Sequence, residues 1–397
     1  MPHQAGTIEY PSKQYLSFSA AAIILIFFLV TSQIFILPLP QIATQVFRPL
    51  LIVMCLIHMR RRGTIRQTAR VISFFVAVHA MLVLLFYREL WNTDNILDGG
   101  SVALFFLMFS LAIGVNWGKR ELRGILIACF VGCFVCAVAL LYSNDPTDLN
   151  AAAVGHLDLM GTSVNRNKNA YQYSFGCILG LIYILKGKKN YKPIIFVMEA
   201  VTLYALLYSQ CRGAFFSFVG GATVLFAGLL LGMRKKSSSN ALLYTVLLVV
   251  AYVVLYHLIK NSDLSRLVDA ENTSGRDEAI EAAWKMFLNS DWFEKFFGNG
   301  FGFESMQTGE LGAHNVFVGY LVSMGLIGSG LTALMFISTV RHSFGAGAFA
   351  LIITAFLKTL FEGADYNVFI PLILGVVICN YTRVTGRNYY ELFGRER

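Results

Sequence analysis

The sequence predicts an all-α protein, a polytopic transmembrane helical bundle of about 12 spans, with a helical periplasmic loop between spans 9 and 10. Hydrophobic residues make up 56% of the 397 residues and charged residues only 14%, whereas soluble domains contain about 25% charged residues. The apolar residues fall in blocks of roughly 17–25, the length that crosses a bilayer core of about 30 Å. We therefore expect one transmembrane domain over residues 1–397, with residues 261–313 as the large periplasmic loop within it.

The predicted spans follow the apolar blocks. They cover residues 15–37, 41–59, 70–87, 101–117, 123–142, 169–186, 192–209, 213–233, 241–260, 314–340, 344–363 and 366–383. The first block is too long for the apolar region of a signal peptide, and no clear small-residue cleavage site follows it. Nearly all cysteines lie inside these blocks without the spacing of metal ligands, so we expect them to pack and expect no metal and no cofactor.

The short loops set the orientation of the bundle. Basic loops follow the even-numbered spans, for example "HMRRRGTIRQTAR" after span two, "GKRELR" after span four and "KGKKNYK" after span six. Because cytoplasmic loops carry an excess of Lys and Arg, these loops and both termini are predicted to be cytoplasmic. The net charge of +9 mostly reflects this orientation, so we expect no nucleic-acid partner.

The odd-numbered spans then end outside, and the loop of residues 261–313 is the longest outer segment. A loop of this length in a compact protein usually carries function or local helices. The stretch "SGRDEAIEAAWKMFLNSDWF" within it predicts such a helix. Ser274 is a suitable N-cap. Ala282, Ala283, Met286 and Phe287 would form its apolar face.

Several arginines lie on the outer side, against the trend of the other basic residues. Arg212 follows span seven, Arg166 precedes span six and Arg276 lies in the long loop. A guanidinium group is always charged and binds phosphate oxygens through paired hydrogen bonds, so these arginines indicate an anionic ligand at the outer surface. Two alternatives stay open: Arg212 as an interfacial anchor that reaches the head groups, and Arg276 as the partner of Asp277 or Glu281.

The stretch "FGNGFG" is followed by His314 and Asn315 at the outer start of span ten. The glycines, Gly300 among them, allow tight turns, but no βαβ unit precedes them and a dinucleotide site is rejected. His314 can take up a proton near neutral pH and is the candidate base. Alternatively, His314 caps span ten, Asn315 only holds the histidine loop, and the base is Glu304 or Glu310.

Charged residues also fall inside predicted spans, where they are costly and functional by default. Arg48 lies near the outer third of span two and is a candidate for an anion site. Lys358 and Glu362 are four residues apart and are suitably spaced to pair on one helix face. No partner for Glu199 is evident from the sequence.

Four motifs occur in order over about residues 205–330: "SQCRGAFFS", "TSGRDEAIEAAW", "FGNGFG" and "HNVFVGYLVSMGLIG". In these motifs the chain resembles the O-antigen ligase and surface polysaccharide polymerase superfamily of bacterial membrane glycosyltransferases. The stretch "TSVNRNKNAYQ" is similar to an asparagine-rich segment of many members. The family often has a serine directly before the first arginine, where this chain has Cys211.

The resemblance implies transfer of a polyprenyl-diphosphate-linked glycan to an acceptor sugar hydroxyl at the periplasmic face of the bacterial inner (cytoplasmic) membrane. The reaction would be metal-independent and inverting, without a cofactor. His314, Arg212 and Arg276 would be catalytic, and Asn315, Arg166, Gly300 and Arg48 would bind substrate. The implied partners are the glycan donor, a glycan or lipid A-core acceptor, membrane lipids, a chain-length regulator and a flippase.

Three functions remain open at this point. Polymerisation of O-antigen, capsule or exopolysaccharide repeat units is favoured, and ligation of the finished chain to lipid A-core is the alternative. A transporter of polysaccharide or lipid-linked sugar is more distant, because it predicts internal repeats and discontinuous helices near the midplane. No repeat is evident between the two halves of the sequence, and most of the notable ionisable residues gather at the outer face.

Overall fold

A computed structural model of the chain describes residues 16–32, 40–87, 93–144, 156–159, 162–234, 276–301, 315–341, 346–361, 369–385 and 389–393. The helices are α1 (Phe18–Ser32), α2 (Pro40–Arg62), α3 (Thr68–Phe86), α4 (Thr93–Gly114), α5 (Lys119–Ser143), α6 (Arg166–Lys186), α7 (Lys192–Tyr208), α8 (Arg212–Arg234), α9 (Arg276–Asn289), α10 (Trp292–Phe297), α11 (Val316–Arg341), α12 (Ala346–Phe361) and α13 (Phe369–Thr385). Short 3₁₀ turns cover Lys189–Tyr191 and Tyr389–Phe393.

The structure confirms a helical bundle with apolar helices of membrane length. Within the described ranges, 6 helical segments are long and apolar enough to cross a membrane: Thr68–Phe86, Asn95–Gly114, Lys119–Ser143, Lys189–Tyr208, Arg212–Leu230 and Val316–Val340. Helices α1, α12 and α13 are apolar but shorter. Every predicted span except 241–260 coincides with a helix, and that range lies outside the described residues.

One pair of strands departs from the all-α prediction. Strand β1 (His156–Leu159) pairs antiparallel with β2 (Thr162–Asn165), with His156 opposite Asn165 and Leu159 opposite Thr162. The sequence predicts an outer loop between spans five and six at this position. The strands are four residues each, too short to show a clear alternating pattern. They lead directly into α6.

Small residues allow the long helices to pack closely. A Cβ at Gly221 of α8 would lie 2.1 Å from Thr354 Oγ1 of α12. A Cβ at Gly176 of α6 would lie 2.6 Å from the Cβ of Cys133 on α5. Such close approach is typical of helix pairs in membranes, where packing drives association. The seven cysteines are free and buried, which confirms their predicted packing role.

Most basic side chains of the short loops gather at one end of the bundle, which we call the basic end. There α2, α4, α6 and α13 finish and α3, α5 and α7 begin. Ile65 N donates to Gly114 O at 2.8 Å, and Lys119 Nζ lies 3.3 Å from Glu391 Oε2. The basic residues at this end include Arg60, Arg61, Arg62, Arg66, Lys119, Arg120, Lys188, Lys189 and Arg383. The other end is called the opposite end.

Helix α11 is broken at Gly325, whose φ of 66° and ψ of −168° are not helical. The break removes the intrahelical partners of the carbonyls just before it. Donors from other segments replace them. Asn299 N donates to Val322 O at 2.8 Å and Gly300 N to Ser323 O at 3.2 Å, while His79 Nε2 lies 2.9 Å from Met324 O. The turn that follows α10 is therefore hydrogen-bonded to the backbone of α11 at its break.

The helix predicted in the long outer loop is present as α9 and is followed by the short helix α10. Asp291 separates the two helices and caps α10, because its Oδ1 accepts a hydrogen bond from Glu294 N at 2.8 Å. Ala283 and Phe287 are buried against Val322 of α11, as the sequence predicted for that face. Ala282 and Met286 are only half-buried. Ser274 lies outside the described residues.

Candidate functional site

The starts of α6, α8 and α11 and the end of α12 meet at the opposite end of the bundle. Asn315, directly before α11, donates from Nδ2 to Leu360 O of α12 at 3.2 Å. Lys358 of α12 places its Nζ 4.3 Å from the ring centroid of Tyr171 in α6. These contacts join the start of α11 to the end of α12, and α12 to α6.

The start of α8 belongs to the same region. Tyr171 is part of a buried cluster with Cys211 and Ala214, the residues on either side of Arg212–Gly213. Arg212 is the first residue of α8 and is partly buried. We call Tyr171, Arg212, Asn315 and Lys358 the candidate site. It contains two of the residues predicted from the sequence, Arg212 and Asn315.

The turn before Arg212 has an unusual backbone. Gln210 has a φ of 48° and is, among the residues that the structure describes, the one non-glycine residue with a positive φ. A side chain in this left-handed conformation costs about 1–2 kcal/mol. Ser209 Oγ donates to Leu206 O at 2.6 Å and Gln210 N donates to Leu207 O at 3.0 Å, which fixes the end of α7. Arg212 therefore follows a turn that is held by hydrogen bonds and contains a strained residue. Strained residues of this kind cluster at functional sites.

Each of the outer arginines predicted from the sequence is the first residue of a helix. Arg166 opens α6, Arg212 opens α8 and Arg276 opens α9. The first turns of α6 and α8 contain no acidic residue, whereas Asp277 and Glu278 follow Arg276 in the first turn of α9. Because a helix N-terminus already carries about half a positive charge, an arginine there is unfavourable unless an anion is near. The side chains of Arg166 and Arg276 are not among those the structure describes.

Lys358 adds a second described cation to the site. Its side chain is 2% exposed, and the Tyr171 ring gives the ammonium a cation–π contact. From the sequence, Lys358 is recognisable as a charge inside a span but not as part of this site. Its predicted partner Glu362 lies outside the described residues.

The side chain of Asn315 forms hydrogen bonds with backbone groups. Its Oδ1 accepts hydrogen bonds from Phe317 N at 3.0 Å and Val318 N at 3.2 Å, so Asn315 caps α11. The cap that the sequence analysis considered for His314 is therefore supplied by its neighbour. His314 itself lies outside the described residues, and its role as a base stays a prediction.

Two other predicted substrate-binding residues, Gly300 and Arg48, have described surroundings of their own. Gly300 has a φ of 90° and its N–H is bonded within the break of α11. Arg48 lines a cavity of about 30 Å³ between α1, α2, α4 and α13, next to Phe27 and Met108. Val30, which also lines this cavity, accepts a hydrogen bond at 3.0 Å from Nε2 of Gln172, the neighbour of Tyr171 in α6.

Glu281 does not need Arg276 as a partner. Lys285 Nζ lies 2.6 Å from Glu281 Oε1, one turn along α9. The hydrogen bond and the positive charge of Lys285 lower the pKa of the Glu281 carboxyl. One of the two structural roles considered for Arg276, pairing with Glu281, is therefore already filled by another residue.

Glu199 lies away from this site, in the middle of α7. The described residues give its Oε2 no hydrogen-bond partner, as the sequence suggested. A Cβ at Gly180 of α6 would lie 1.9 Å from that oxygen, so the carboxyl fills the space beside this glycine.

No protein-family model matches the chain, and no curated protein matches it.

Proposed function

We propose that this protein transfers a polyprenyl-diphosphate-linked glycan to an acceptor sugar hydroxyl at the opposite end of the bundle, and that it polymerises the repeat units of a surface polysaccharide. One observation carries the proposal. Arg166, Arg212 and Arg276 each open a helix, and the first turns of α6 and α8 contain no acidic residue, so there the positive end of the helix dipole is joined by a fixed cation. Such N-termini bind phosphate groups.

A lipid-linked diphosphate has the chemistry that this arrangement needs. It is anionic and stays at the membrane surface, where Arg212 begins a helix of membrane length. Lys358 lies in the same region and adds positive charge, and Asn315 holds the start of α11 against α12. Neutral acceptor sugars alone would not account for the cations.

The reaction is a single displacement. Arg212 and Arg276 bind the diphosphate, and His314 accepts the proton of the acceptor hydroxyl. The hydroxyl oxygen forms a bond to the anomeric carbon while the bond from that carbon to the diphosphate oxygen breaks, which inverts the anomeric centre. The guanidinium groups stabilise the negative charge that grows on the departing diphosphate. General base catalysis by the histidine contributes about 10²–10⁴-fold in rate.

We further propose that the basic end faces the cytoplasm of a bacterium and that the candidate site faces the periplasm. The gathering of Lys and Arg at one end supports this orientation by the positive-inside rule. In this proposal the chain spans the inner membrane 12 times, which includes residues 241–260, and both termini are cytoplasmic.

The break in helix α11 gives little support to the transporter alternative. Transporters use discontinuous helices because their free backbone groups bind substrate or coupling ions. Here the carbonyls of Val322, Ser323 and Met324 are all in contact with protein donors. The break therefore holds the turn after α10 and does not present these carbonyls to a ligand.

Deletion of the gene in its native host tests the proposal. Surface glycans and lipid-linked glycans are separated on a gel, with a strain that carries the restored gene as control. Single repeat units alone, on the core or on the carrier, establish a polymerase. Long chains that remain on the lipid carrier establish the ligase alternative. Unchanged glycans at the outer surface contradict both.

A further inference from the structure

A second polar cavity lies at the basic end of the bundle, remote from the candidate site. Its volume is about 80 Å³, and the start of α3 and the last turns of α11 and α13 enclose it. Arg66 and Arg383 line it from two sides, together with Gln67, Ser338 and Thr339. One water molecule needs about 10–15 Å³ of cavity volume on this measure, so the cavity has room for a group of several atoms.

The donors of this cavity are cationic. No carboxylate is among the residues that line it. Neither Arg66 nor Arg383 forms an ion pair within the described part of the chain. Gln67 is the N-cap of α3, but its side chain does not bond the first turn of that helix. The N–H groups of that turn, next to the cavity, add the positive end of a 19-residue helix.

The cavity also offers hydrogen-bond acceptors. Gln67 Nε2 donates to Asn380 Oδ1, and its buried Oε1 has no partner among the described residues. Thr339 Oγ1 donates its proton to Met335 O at 2.8 Å, so toward the cavity it offers only lone pairs. An anionic group that also carries hydroxyls matches both the cationic donors and these acceptors.

We propose that this cavity binds a phosphate group that carries hydroxyls. Two sources share this chemistry: the phosphoglycerol head group of an anionic lipid, and a free phosphate in solution. Two guanidinium groups and a helix N-terminus supply charge-assisted hydrogen bonds to the phosphate oxygens. Gln67 Oε1 and Thr339 Oγ1 accept from the hydroxyls. This site is independent of the proposed glycan transfer, because it lies at the other end of the bundle.

The test measures binding to the purified full-length chain in detergent. The unfolding temperature is followed against the concentration of three probes: short-chain phosphatidylglycerol, inorganic phosphate at constant ionic strength, and short-chain phosphatidylcholine. A ligand that binds only the folded protein raises this temperature in a concentration-dependent way. The variant Arg66→Gln/Arg383→Gln is compared with Arg60→Gln/Arg61→Gln, which removes two arginines that are exposed like Arg66 and Arg383 but do not line the cavity.

We expect phosphatidylglycerol or inorganic phosphate to stabilise the wild type and phosphatidylcholine to have no effect. Stabilisation by phosphatidylglycerol alone identifies a lipid head group, and stabilisation by inorganic phosphate identifies a soluble source. The cavity variant should bind roughly tenfold more weakly for each arginine removed, since each loses a charge-assisted hydrogen bond. The control variant should bind like the wild type.

Two results overturn the proposal. One is that neither anionic probe stabilises the wild type, and the other is that the cavity variant and the control variant lose affinity equally. Should the cavity variant fail to fold, Arg66→Lys/Arg383→Lys replaces it. Lysine keeps the charge but lacks the paired donors of the guanidinium. This variant is expected to bind more weakly than the wild type, and unchanged binding likewise contradicts the site.

Discussion

The backbones of Gly298 and Gly325 are in direct contact, and both residues have a positive φ, 92° and 66°. A Cβ at Gly325 would lie 2.5 Å from Gly298 N, and a Cβ at Gly298 would lie 2.2 Å from Ser323 O. The hydroxyl of Tyr87, the residue directly after α3, donates a hydrogen bond to Gly298 O. The two glycine motifs that the sequence shows separately, "FGNGFG" and "GLIG", are thus two sides of one contact.

This contact predicts that Gly325→Ala and Gly298→Ala destabilise the protein. Each adds a methyl group at a positive φ with an extended ψ, 172° at Gly298 and −168° at Gly325, a backbone conformation essentially confined to glycine that costs about 1–3 kcal/mol for other residues. The backbone atoms that the methyl group meets cannot move aside without opening the break, which adds about 1–3 kcal/mol. We expect a lower unfolding temperature in detergent and a smaller fraction that elutes as a single species in size-exclusion chromatography.

Gly330→Ala is the matched control for this prediction. Gly330 lies in the same helix, and a Cβ there meets no atom within 4 Å. Alanine favours a helix over glycine by about 1 kcal/mol, so this variant should be at least as stable as the wild type. Equal destabilisation by Gly325→Ala and Gly330→Ala would show that the contact with Gly298 is not what holds α11.

Glu121→Gln is predicted to destabilise the basic end. Glu121 is 2% exposed and accepts hydrogen bonds from Arg62 Nη2 at 2.9 Å and Gly118 N at 2.8 Å, while His58 Nε2 lies 3.2 Å away. Glutamine has the same shape but no charge, so it leaves the guanidinium of Arg62 without its counter-ion. Breaking a fully buried pair costs about 3–5 kcal/mol, and because the Arg62 side chain is 28% exposed we expect a smaller loss here, about 1–3 kcal/mol. The unfolding temperature in detergent measures the loss.

Glu391→Gln provides the comparison for Glu121. Glu391 pairs with Lys119 at 3.3 Å at the same end of the bundle; its side chain is 14% exposed, against 3% for Glu121, and the lysine side chain is 34% exposed. A partly exposed pair of this kind contributes about 1 kcal/mol. A larger effect of Glu391→Gln than of Glu121→Gln would contradict the importance assigned to the buried pair.

The left-handed backbone at Gln210 predicts an order of stability between two variants. Gln210→Gly and Gln210→Ala both remove the side chain, but only glycine adopts this φ without cost. The glycine variant should therefore be more stable than the alanine variant by about 1 kcal/mol. Thermal unfolding of the two proteins side by side measures the difference. The reverse order would show that the turn before Arg212 is not left-handed.

The sequence predicted the helices well because a membrane-length apolar block leaves few alternatives for the backbone. It did not predict the break in α11. Gly325 lies inside an apolar run, and its φ depends on the turn after α10, which arrives from a distant part of the chain. The hairpin β1–β2 was missed because four residues give too short a pattern.

The site was predictable only in part. Arg212 was identified because it follows directly on an apolar block, and its position at a helix start follows from that. Lys358 was recognised as a costly charge, but its contact with Tyr171 joins α12 to α6 and leaves no local sequence signal. The cap formed by Asn315 is a local signal of the kind that sequence shows, since asparagine directly precedes the helix it caps.

The proposed base predicts that His314→Ala abolishes glycan transfer while the protein level in the membrane stays unchanged. Asn315 caps α11 on its own, so removal of the histidine ring should leave the helix start intact. Transfer is measured by the glycan pattern of a deletion strain that carries the variant, and protein level by immunoblot. Glu304→Gln and Glu310→Gln test the alternative bases in the same strain. Full activity of His314→Ala would exclude this residue as the base.

The last prediction concerns Arg212 and separates its two interpretations. If Arg212 binds the diphosphate, Arg212→Lys keeps the charge but loses the paired hydrogen bonds, and Arg212→Ala loses both. We therefore expect transfer to fall in Arg212→Lys and to vanish in Arg212→Ala, at unchanged protein level. If Arg212 is only an interfacial anchor, lysine replaces it fully, because both side chains extend to the head groups.

The readout is transfer in proteoliposomes with a polyprenyl-diphosphate-linked repeat unit as donor, followed against donor concentration. Substitution of a residue that stabilises the departing diphosphate lowers the rate at saturating donor. Substitution of a residue that binds donor and transition state equally raises only the donor concentration needed for the half-maximal rate. Arg60→Ala, an exposed arginine at the basic end, is the matched control and should retain full transfer. Wild-type rates for Arg212→Lys would support the anchor, and a loss at saturating donor in both Arg212 variants supports the proposed role in the chemical step.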